Sequence, residues 1–218
     1  MRTTPIALFA ACGATLLAVA APAGAATLVA DKSCYVAESA MQLSGSGFGA
    51  QAPITVAGEQ IALPGSAGPD GAFSATVKAP LLGTSRPAVK RFTVTATDAS
   101  TNTSAAVDVN VANAVFSTST GFKSPQAKRT WKFSGLFQNP GKPIFGHFRH
   151  GGRTYSNYRF GVPTGPCGTL TRKAPGIPGS SVPSGRWTVQ VDFKRTYDPN
   201  ATPRLTGSTT VFKTFRRR

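Results

Sequence analysis

The chain has 218 residues and a formal net charge of +16 at pH 7, from 24 Lys and Arg against eight Asp and Glu. This length suits two domains of about 100 residues each. Two histidines are present in all, and only two carboxylates follow residue 113. The second half of the chain therefore cannot readily supply a three-ligand zinc site, and its sequence shows no paired carboxylates for glycoside hydrolysis.

Residues 1–25 have the pattern of a secretory signal peptide. A positive start precedes an apolar run from Pro5 to Val19, and Ala23-Gly24-Ala25 is a small-residue cleavage site. A membrane anchor needs about 20 clean apolar residues, which neither this interrupted run nor any later segment provides. Cys12 leaves lipid attachment open as an alternative fate. We expect an exported protein, secreted or associated with the cell envelope, whose mature chain begins at Ala26.

Residues 26–113 predict an all-β domain. Apolar residues alternate with polar ones in short runs that end at Gly, Pro, Ser and Asp, and no stretch has the 3.6-residue period of a helix. One face of each run would enter a core. Pro69-Asp70-Gly71 marks a turn between two runs, because Asp bonds its own backbone and Gly accepts positive φ. The alternating residues are Met41 with Leu43, Ile54 with Val56, Ile61 with Leu63, Phe73 with Val77, Phe92 with Val94, and Val107 with Val109 and Val111.

Four segments of this domain resemble a known family. Leu43–Phe48 (LSGSGF), Pro53–Val56 (PITV), Asp70–Phe73 (DGAF) and Phe92–Asp98 (FTVTATD) are similar to the bacterial immunoglobulin-like domain of secreted and surface proteins. The resemblance implies a β-sandwich that acts as a spacer, stalk or adhesive module, with no catalytic residues.

Residues 114–218 continue the β pattern, and we predict a second, basic β-sandwich. Trp131 and Trp187 fall at inward positions among Phe and Val, which favours a core role for both. This half has eighteen Lys and Arg against Asp192 and Asp198, whereas residues 27–113 have five cations and six anions. Such asymmetry indicates a polyanionic partner. The alternative is a charge that serves solubility alone.

The most distinctive segment predicts a hairpin in which Ile144–His150 and Thr154–Phe160 flank Gly151-Gly152-Arg153. Phe145, His147 and Arg149 should share one face of the first strand, and Tyr155, Asn157 and Arg159 one face of the second. His147 and His150 then point to opposite faces, with no partner indicated for either. Arginine forks suit phosphate and carboxylate groups. The ligand-binding residues that we predict are Arg149, Arg153, Arg159, Arg172 and Lys173.

Cys34 and Cys167 are the two cysteines after the predicted cleavage site. In an oxidising compartment they invite a disulfide that would join the two domains, and two unrelated cysteines are the alternative. His150-Gly151 with Gly165–Gly168 also resembles L,D-transpeptidases, which use a Cys nucleophile. Thr164, Pro166 and Thr169 depart from that family's Ser-x-Gly-Cys-x-Arg pattern.

We therefore predict two tandem β-sandwich domains, immunoglobulin-like and then basic, in a secreted non-enzymatic protein without metal or cofactor. Its expected partner is an anionic cell-wall or extracellular polymer, with no specific nucleic acid. An inert spacer and an L,D-transpeptidase-like cysteine enzyme are the alternatives.

Overall fold

The structure is a computed structural model, and it describes residues 25–119 and 124–212. The prediction for residues 1–25 thus lies outside the described residues, apart from Ala25. The described part consists of fifteen β-strands, which confirms the prediction of an all-β protein. In chain order they are β1 Thr27–Ala30, β2 Cys34–Val36, β3 Ala40–Ser46, β4 Pro53–Gly58, β5 Ile61–Ser66, β6 Phe73–Lys78, β7 Val89–Asp98, β8 Thr103–Ala112, β9 Val115–Thr118, β10 Lys128–Ser134, β11 Ile144–His150, β12 Arg153–Gly161, β13 Leu170–Pro175, β14 Gly185–Asp192 and β15 Leu205–Val211.

Strands β1 to β8 form the N-terminal sandwich. A three-stranded sheet, β1-β3-β6, packs on a five-stranded sheet, β2-β8-β7-β4-β5, and β2 runs parallel to β8 while the other pairs are antiparallel. The predicted alternation is observed in β3, where Met41 and Leu43 are buried and their neighbours exposed. Burial of such apolar surface is the main force that holds two sheets together.

The predicted turn at Asp70-Gly71 is confirmed. The Asp70 carboxylate accepts a hydrogen bond from the Ala72 N–H at 3.1 Å, and Gly71 has a φ of 73°. A Cβ at Gly71 would lie 2.2 Å from the Phe48 carbonyl oxygen. Glycine is therefore required here both by the left-handed backbone and by the close approach of a second chain segment.

Strands β9 to β15 form the C-terminal sandwich. A three-stranded sheet, β13-β10-β9, packs on a four-stranded sheet, β12-β11-β14-β15. Both tryptophans are buried in its core, as predicted, and the Trp131 ring lies 4.9 Å from that of Phe160, centroid to centroid. Each indole N–H donates to a backbone carbonyl, of Pro175 and of Pro183, so neither core position leaves a buried donor unpaired.

A disulfide joins the two sandwiches and confirms the predicted pair. Cys34 on β2 and Cys167 between β12 and β13 have Cα atoms 5.3 Å apart, and the sulfurs are buried with Ala112. Beside the bridge, Ser134 donates a 2.6 Å hydrogen bond to the backbone carbonyl of Asn113. Because the Asn113 side chain also bonds the segment around Thr84, this junction is tied by polar contacts as well as by the covalent bond.

Candidate polyanion-binding surface

The cations of the two sandwiches differ in whether they form ion pairs. In the N-terminal sandwich Lys32, Lys90 and Arg91 each pair with a nearby carboxylate. In the C-terminal sandwich the one ion pair among the described residues joins His147 to Asp192, and it is buried. Eleven cations there are exposed, and within the described ranges none makes a salt bridge or a side-chain hydrogen bond: Lys128, Lys132, Lys142, Arg153, Arg159, Arg172, Lys173, Arg186, Lys194, Arg195 and Arg204.

Three of these cations lie on the outer side of the three-stranded sheet, which we call the lysine face (Lys128, Lys132 and Lys173). Trp131 and Phe133 point into the core, so the alternate residues of β10 point outward. Lys173 of β13 is opposite Thr130 and therefore diagonal to both lysines of β10. Diagonal neighbours on a sheet are about 7–8 Å apart, so the three ammonium groups are close enough to act on one anionic chain.

The outer side of the four-stranded sheet, the arginine face, presents Arg149, Arg159 and Arg186. Their opposite partners across the sheet are Thr188, Phe145 and Thr210, none of which carries a charge. Residues 193–204, which connect β14 to β15 and which we call the strap, lie across this face and add three further exposed cations, Lys194, Arg195 and Arg204.

A buried polar network holds the strap on the sheet. The His147 side chain has 0% exposure; its Nδ1 lies 2.6 Å from Asn157 Oδ1 and its Nε2 lies 3.2 Å from Asp192 Oδ1. Asp192 also accepts from Gln190 and from the Lys194 N–H at the start of the strap. The expectation that this histidine lacks a partner was wrong, because the two strands that flank β11 provide one each, Asn157 on β12 and Asp192 on β14.

This environment moves both pKa values of the pair. Burial lowers the pKa of His147, but hydrogen bonds with Asp192 and Asn157 outweigh it and raise the pKa above its usual 6.5. For Asp192, burial raises the pKa, but hydrogen bonds from His147 and Gln190 lower it below its usual 3.8. Since both imidazole nitrogens face oxygen atoms, the geometry favours a buried imidazolium–carboxylate pair.

Arg149 is engaged by the strap rather than free. Its guanidinium donates 2.7 Å and 2.6 Å hydrogen bonds to the Tyr197 hydroxyl and the Gly152 carbonyl, and lies 4.1 Å from the centroid of the Tyr197 ring. The side chain therefore stabilises the hairpin tip and the strap.

A β-bulge in β12 corrects the predicted hairpin face. Phe148 is opposite Ser156 whereas Arg149 is opposite Thr154, so Tyr155 has no opposite partner. Its ring contacts His150 and Trp187, with a centroid distance of 5.1 Å to the latter, on the side of the sheet that faces the core. Tyr155 thus lies on the opposite side from Asn157 and Arg159.

A recess of about 490 Å³ lies between β12 and the strap, and we call it the strap cleft. Phe145, Asn157, Arg159, Arg195 and Thr196 line it. A smaller recess of about 260 Å³, on the other side of Tyr197, includes Arg149 and Arg204. Each recess therefore combines an arginine of the sheet with an arginine of the strap.

The five predicted binding residues occupy different places. Arg149 and Arg159 belong to the arginine face, Arg153 lies at the exposed hairpin tip, and Lys173 belongs to the lysine face. Arg172 is opposite the buried Trp131 but remains exposed, because β13 is an edge strand.

The lysine face as a group and the two strap arginines were not predicted from the sequence. Lys128 and Lys132 alternate with Trp131 and Phe133, so the period-2 pattern already placed them outward. For the strap, the available signal was Lys194-Arg195, next to the end of a strand pattern.

A groove of about 480 Å³ is a further recess in the C-terminal sandwich. It lies between β9 and β15, each the edge strand of its sheet, and Trp131, Leu205 and the buried Arg129 contribute to its lining. The Phe116 ring enters this groove opposite Gly207, where a Cβ would lie 2.7 Å from the ring. An aromatic side chain of the protein itself thus occupies part of the space.

No thiol or metal chemistry emerges from the described residues. Cys167 is bonded to Cys34, so it is not available as the thiolate that a transpeptidase-like mechanism needs. Within residues 25–119 and 124–212 no group of three or more His, Cys, Asp or Glu could hold a metal ion. The same residues include no helix of the length and apolarity that crossing a membrane requires.

No protein-family model and no curated protein matches this chain. Among solved structures it is similar to the tetra-tandem repeat in the extending region of a large adhesion protein, at 18% identity and a TM-score of 0.30, over 86% of this chain and 48% of that one. It is also similar to red sea bream transglutaminase, at 11% identity and a TM-score of 0.33, over 87% of this chain and 31% of that one. A third similar structure is the YadV chaperone, at 11% identity and a TM-score of 0.26, over 84% of this chain and 99% of that one. The chain thus spans about half and about a third of the first two, and at these TM-scores no argument rests on the likenesses.

Proposed function

We propose that this protein is a secreted or cell-envelope-associated binding protein, without enzymatic activity, whose C-terminal sandwich associates with an anionic cell-envelope or extracellular polymer. The observation that carries the proposal is the set of eleven exposed cations without carboxylate partners. Charge that serves solubility alone does not account for these eleven unpaired cations when three of the five cations of the N-terminal sandwich are paired.

The arrangement of the charges favours a polymer over a small anion. Arg159 lies on β12 and Arg172 and Lys173 lie on β13, and these are the edge strands of the two sheets on the same side of the sandwich. An anionic chain that passes over this side would meet the arginine face first and the lysine face next. Arg153 at the hairpin tip extends the path, and Arg149 supports it by fixing the strap.

The disulfide and the N-terminal sandwich fit this role. Disulfides persist in oxidising compartments outside the cytosol, in agreement with an exported protein. The N-terminal sandwich, with its cations largely paired, would serve as a spacer that holds the basic sandwich at a distance.

Binding of the full-length, disulfide-bonded protein to immobilised polygalacturonate and polyphosphate tests the proposal. R159Q/R172Q should weaken binding about five- to thirtyfold, if each exposed cation contributes about 0.5–1 kcal/mol. K78Q/R86Q is the matched control, because it removes two exposed, unpaired cations from the N-terminal sandwich. Equal weakening by the two variants would show that net charge alone matters and would contradict the proposed surface.

A further inference from the structure

We infer that the strap cleft is a specific subsite for one acidic sugar unit, a uronate, of an anionic polysaccharide. The inference rests on the proposed function and deepens it: it names the unit that is recognised and the place where this occurs. The strap cleft brings two guanidinium groups, an amide, a hydroxyl and a phenyl ring into one recess of about 490 Å³. Ligand sites of 300–1,000 Å³ with a few convergent polar groups are typical of small-ligand recognition.

The donors of the strap cleft are available. Neither Arg159 nor Arg195 has a salt bridge or a side-chain hydrogen bond in the described part of the chain. Asn157 uses its Oδ1 toward His147, which leaves its NH₂ group to face the recess. Guanidinium forks match a carboxylate in two parallel hydrogen bonds, and the amide and the Thr196 hydroxyl suit the hydroxyls of a sugar.

The protein's own carboxylates do not compete for these donors. Asp192 is buried and receives hydrogen bonds from His147, Gln190 and the Lys194 N–H. Asp198 accepts from the Asn200 N–H at 2.8 Å. No other Asp or Glu follows residue 113. Among the described residues, no carboxylate of the protein therefore pairs with the two guanidiniums of the strap cleft.

Phe145 favours a sugar ring over a bare phosphate. It is half-buried on the outer side of β11, is opposite Arg159, and forms the apolar wall of the strap cleft. An aromatic surface beside charged donors offers contact to the C–H groups of a pyranose while the acidic group meets the arginines. A polyphosphate chain has no apolar group to place there.

Hydrogen bonds on both sides of Arg195 fix the backbone of the strap before a ligand arrives. The Gln190 side chain donates to the Asp198 carbonyl at 2.7 Å, Lys194 N–H to Asp192 at 2.7 Å, and Arg149 to Tyr197. A site fixed in advance loses little conformational freedom when it binds.

Titration of the disulfide-bonded full chain with trigalacturonate, followed by calorimetry, tests the assignment. Saturable binding is expected, and R159Q/R195Q should weaken it about 10- to 100-fold, as expected for lost charge-assisted hydrogen bonds. K78Q/R86Q, which removes two exposed charges from the N-terminal sandwich, should leave it unchanged. Phe145→Leu should weaken trigalacturonate binding but not polyphosphate binding.

The outcomes separate this subsite from the proposed function. Equal loss of trigalacturonate affinity in R159Q/R195Q and K78Q/R86Q, with retention of the wild-type protein on both immobilised polymers, would overturn the subsite and leave the proposed function intact. Selective loss of polyphosphate rather than trigalacturonate in R159Q/R195Q would likewise overturn the sugar assignment. If the wild-type protein is retained neither on polygalacturonate nor on polyphosphate, the proposed function itself is contradicted.

Discussion

His147 is the residue whose chemistry depends most on the fold. Its imidazole faces Asp192 and Asn157, its ring lies 5.9 Å from that of Tyr197, and Arg149 contacts Tyr197 from the same side. A buried pair of this kind is costly to break, because removal of one partner leaves an uncompensated charge.

The pair predicts a pH window for stability. The raised pKa of His147 gives stability that is present below 6.5 and is lost as pH rises through the folded-state pKa. The lowered pKa of Asp192 gives stability that is present above 3.8 and is lost as pH falls through its folded-state value. The contribution of the pair should therefore be greatest between these two pH values.

Urea unfolding across the pH range measures this effect. The free energy of unfolding should decline above pH 6.5 by at most about 1.4 kcal/mol per pH unit from this one group. His147→Gln should lower stability and remove that decline. His150→Gln is the control, because the imidazole of His150 bonds only the Arg186 carbonyl and stacks on Trp187. The same alkaline decline in His147→Gln would rule out this role.

Among the structural elements, the strap has the largest effect on the candidate site, because it covers the outer side of the four-stranded sheet and lines a recess there. It reaches back onto β11 from 48 residues further along the chain, as the hydrogen bond between Arg149 and Tyr197 shows. A period-2 pattern assigns residues to the two sides of a strand, but it does not reveal which side a distant loop will cover. The hairpin was therefore predictable, whereas the burial of His147 was not.

The β-bulge in β12 is a second feature that the sequence pattern did not predict. The hairpin strands and the Gly-Gly turn follow from alternation and turn residues, and the structure confirms both. The extra residue at Tyr155 puts this side chain on the side opposite to Asn157 and Arg159, with which the simple pattern groups it, and nothing in the local sequence marks the bulge. For Cys34 and Cys167, in contrast, the sequence left two alternatives, a disulfide or two unrelated cysteines. Only the distance between their Cα atoms could decide between them.

Tyr197→Phe should loosen the strap without disturbing the sheets. The change deletes the hydrogen bond from Arg149, which is worth about 1 kcal/mol when partly buried. Hydrogen exchange of the strap amides should accelerate several-fold while the amides of β11 and β14 stay protected. Tyr155→Phe is the matched control, since the Tyr155 hydroxyl, on a side chain 47% exposed, makes no hydrogen bond in the described part of the chain. Unchanged strap exchange in Tyr197→Phe would argue against this anchor.

For the whole molecule, the disulfide is the strongest single constraint between the sandwiches. It links residues 133 apart in sequence, so the reduced chain gains a large amount of freedom on unfolding. On the chain-entropy model the difference is about 5 kcal/mol.

The double variant C34S/C167S should unfold at lower denaturant concentration, with a free energy of unfolding reduced by up to about 5 kcal/mol. Its far-ultraviolet circular dichroism should remain that of a β protein, because each sandwich keeps its own core. Identical unfolding of wild type and variant would mean that the bridge does not constrain the unfolded chain.

The difference in net charge between the two halves of the chain was predictable from composition. The structure adds which of these charged side chains are exposed and which are paired. Eleven exposed cations surround one sandwich, and its carboxylates are committed to internal hydrogen bonds. Because screening weakens interactions between exposed charges, association through this surface must depend on ionic strength.

The most direct test of polymer binding by the basic sandwich is the salt dependence of the affinity of the intact, disulfide-bonded protein for immobilised polygalacturonate. Affinity should fall at least about tenfold between about 50 and 200 mM salt, with a shallower slope for R159Q/R172Q than for K78Q/R86Q. A flat salt dependence, or no retention of the wild-type protein at low salt, would contradict the claim that its basic sandwich binds an anionic polymer.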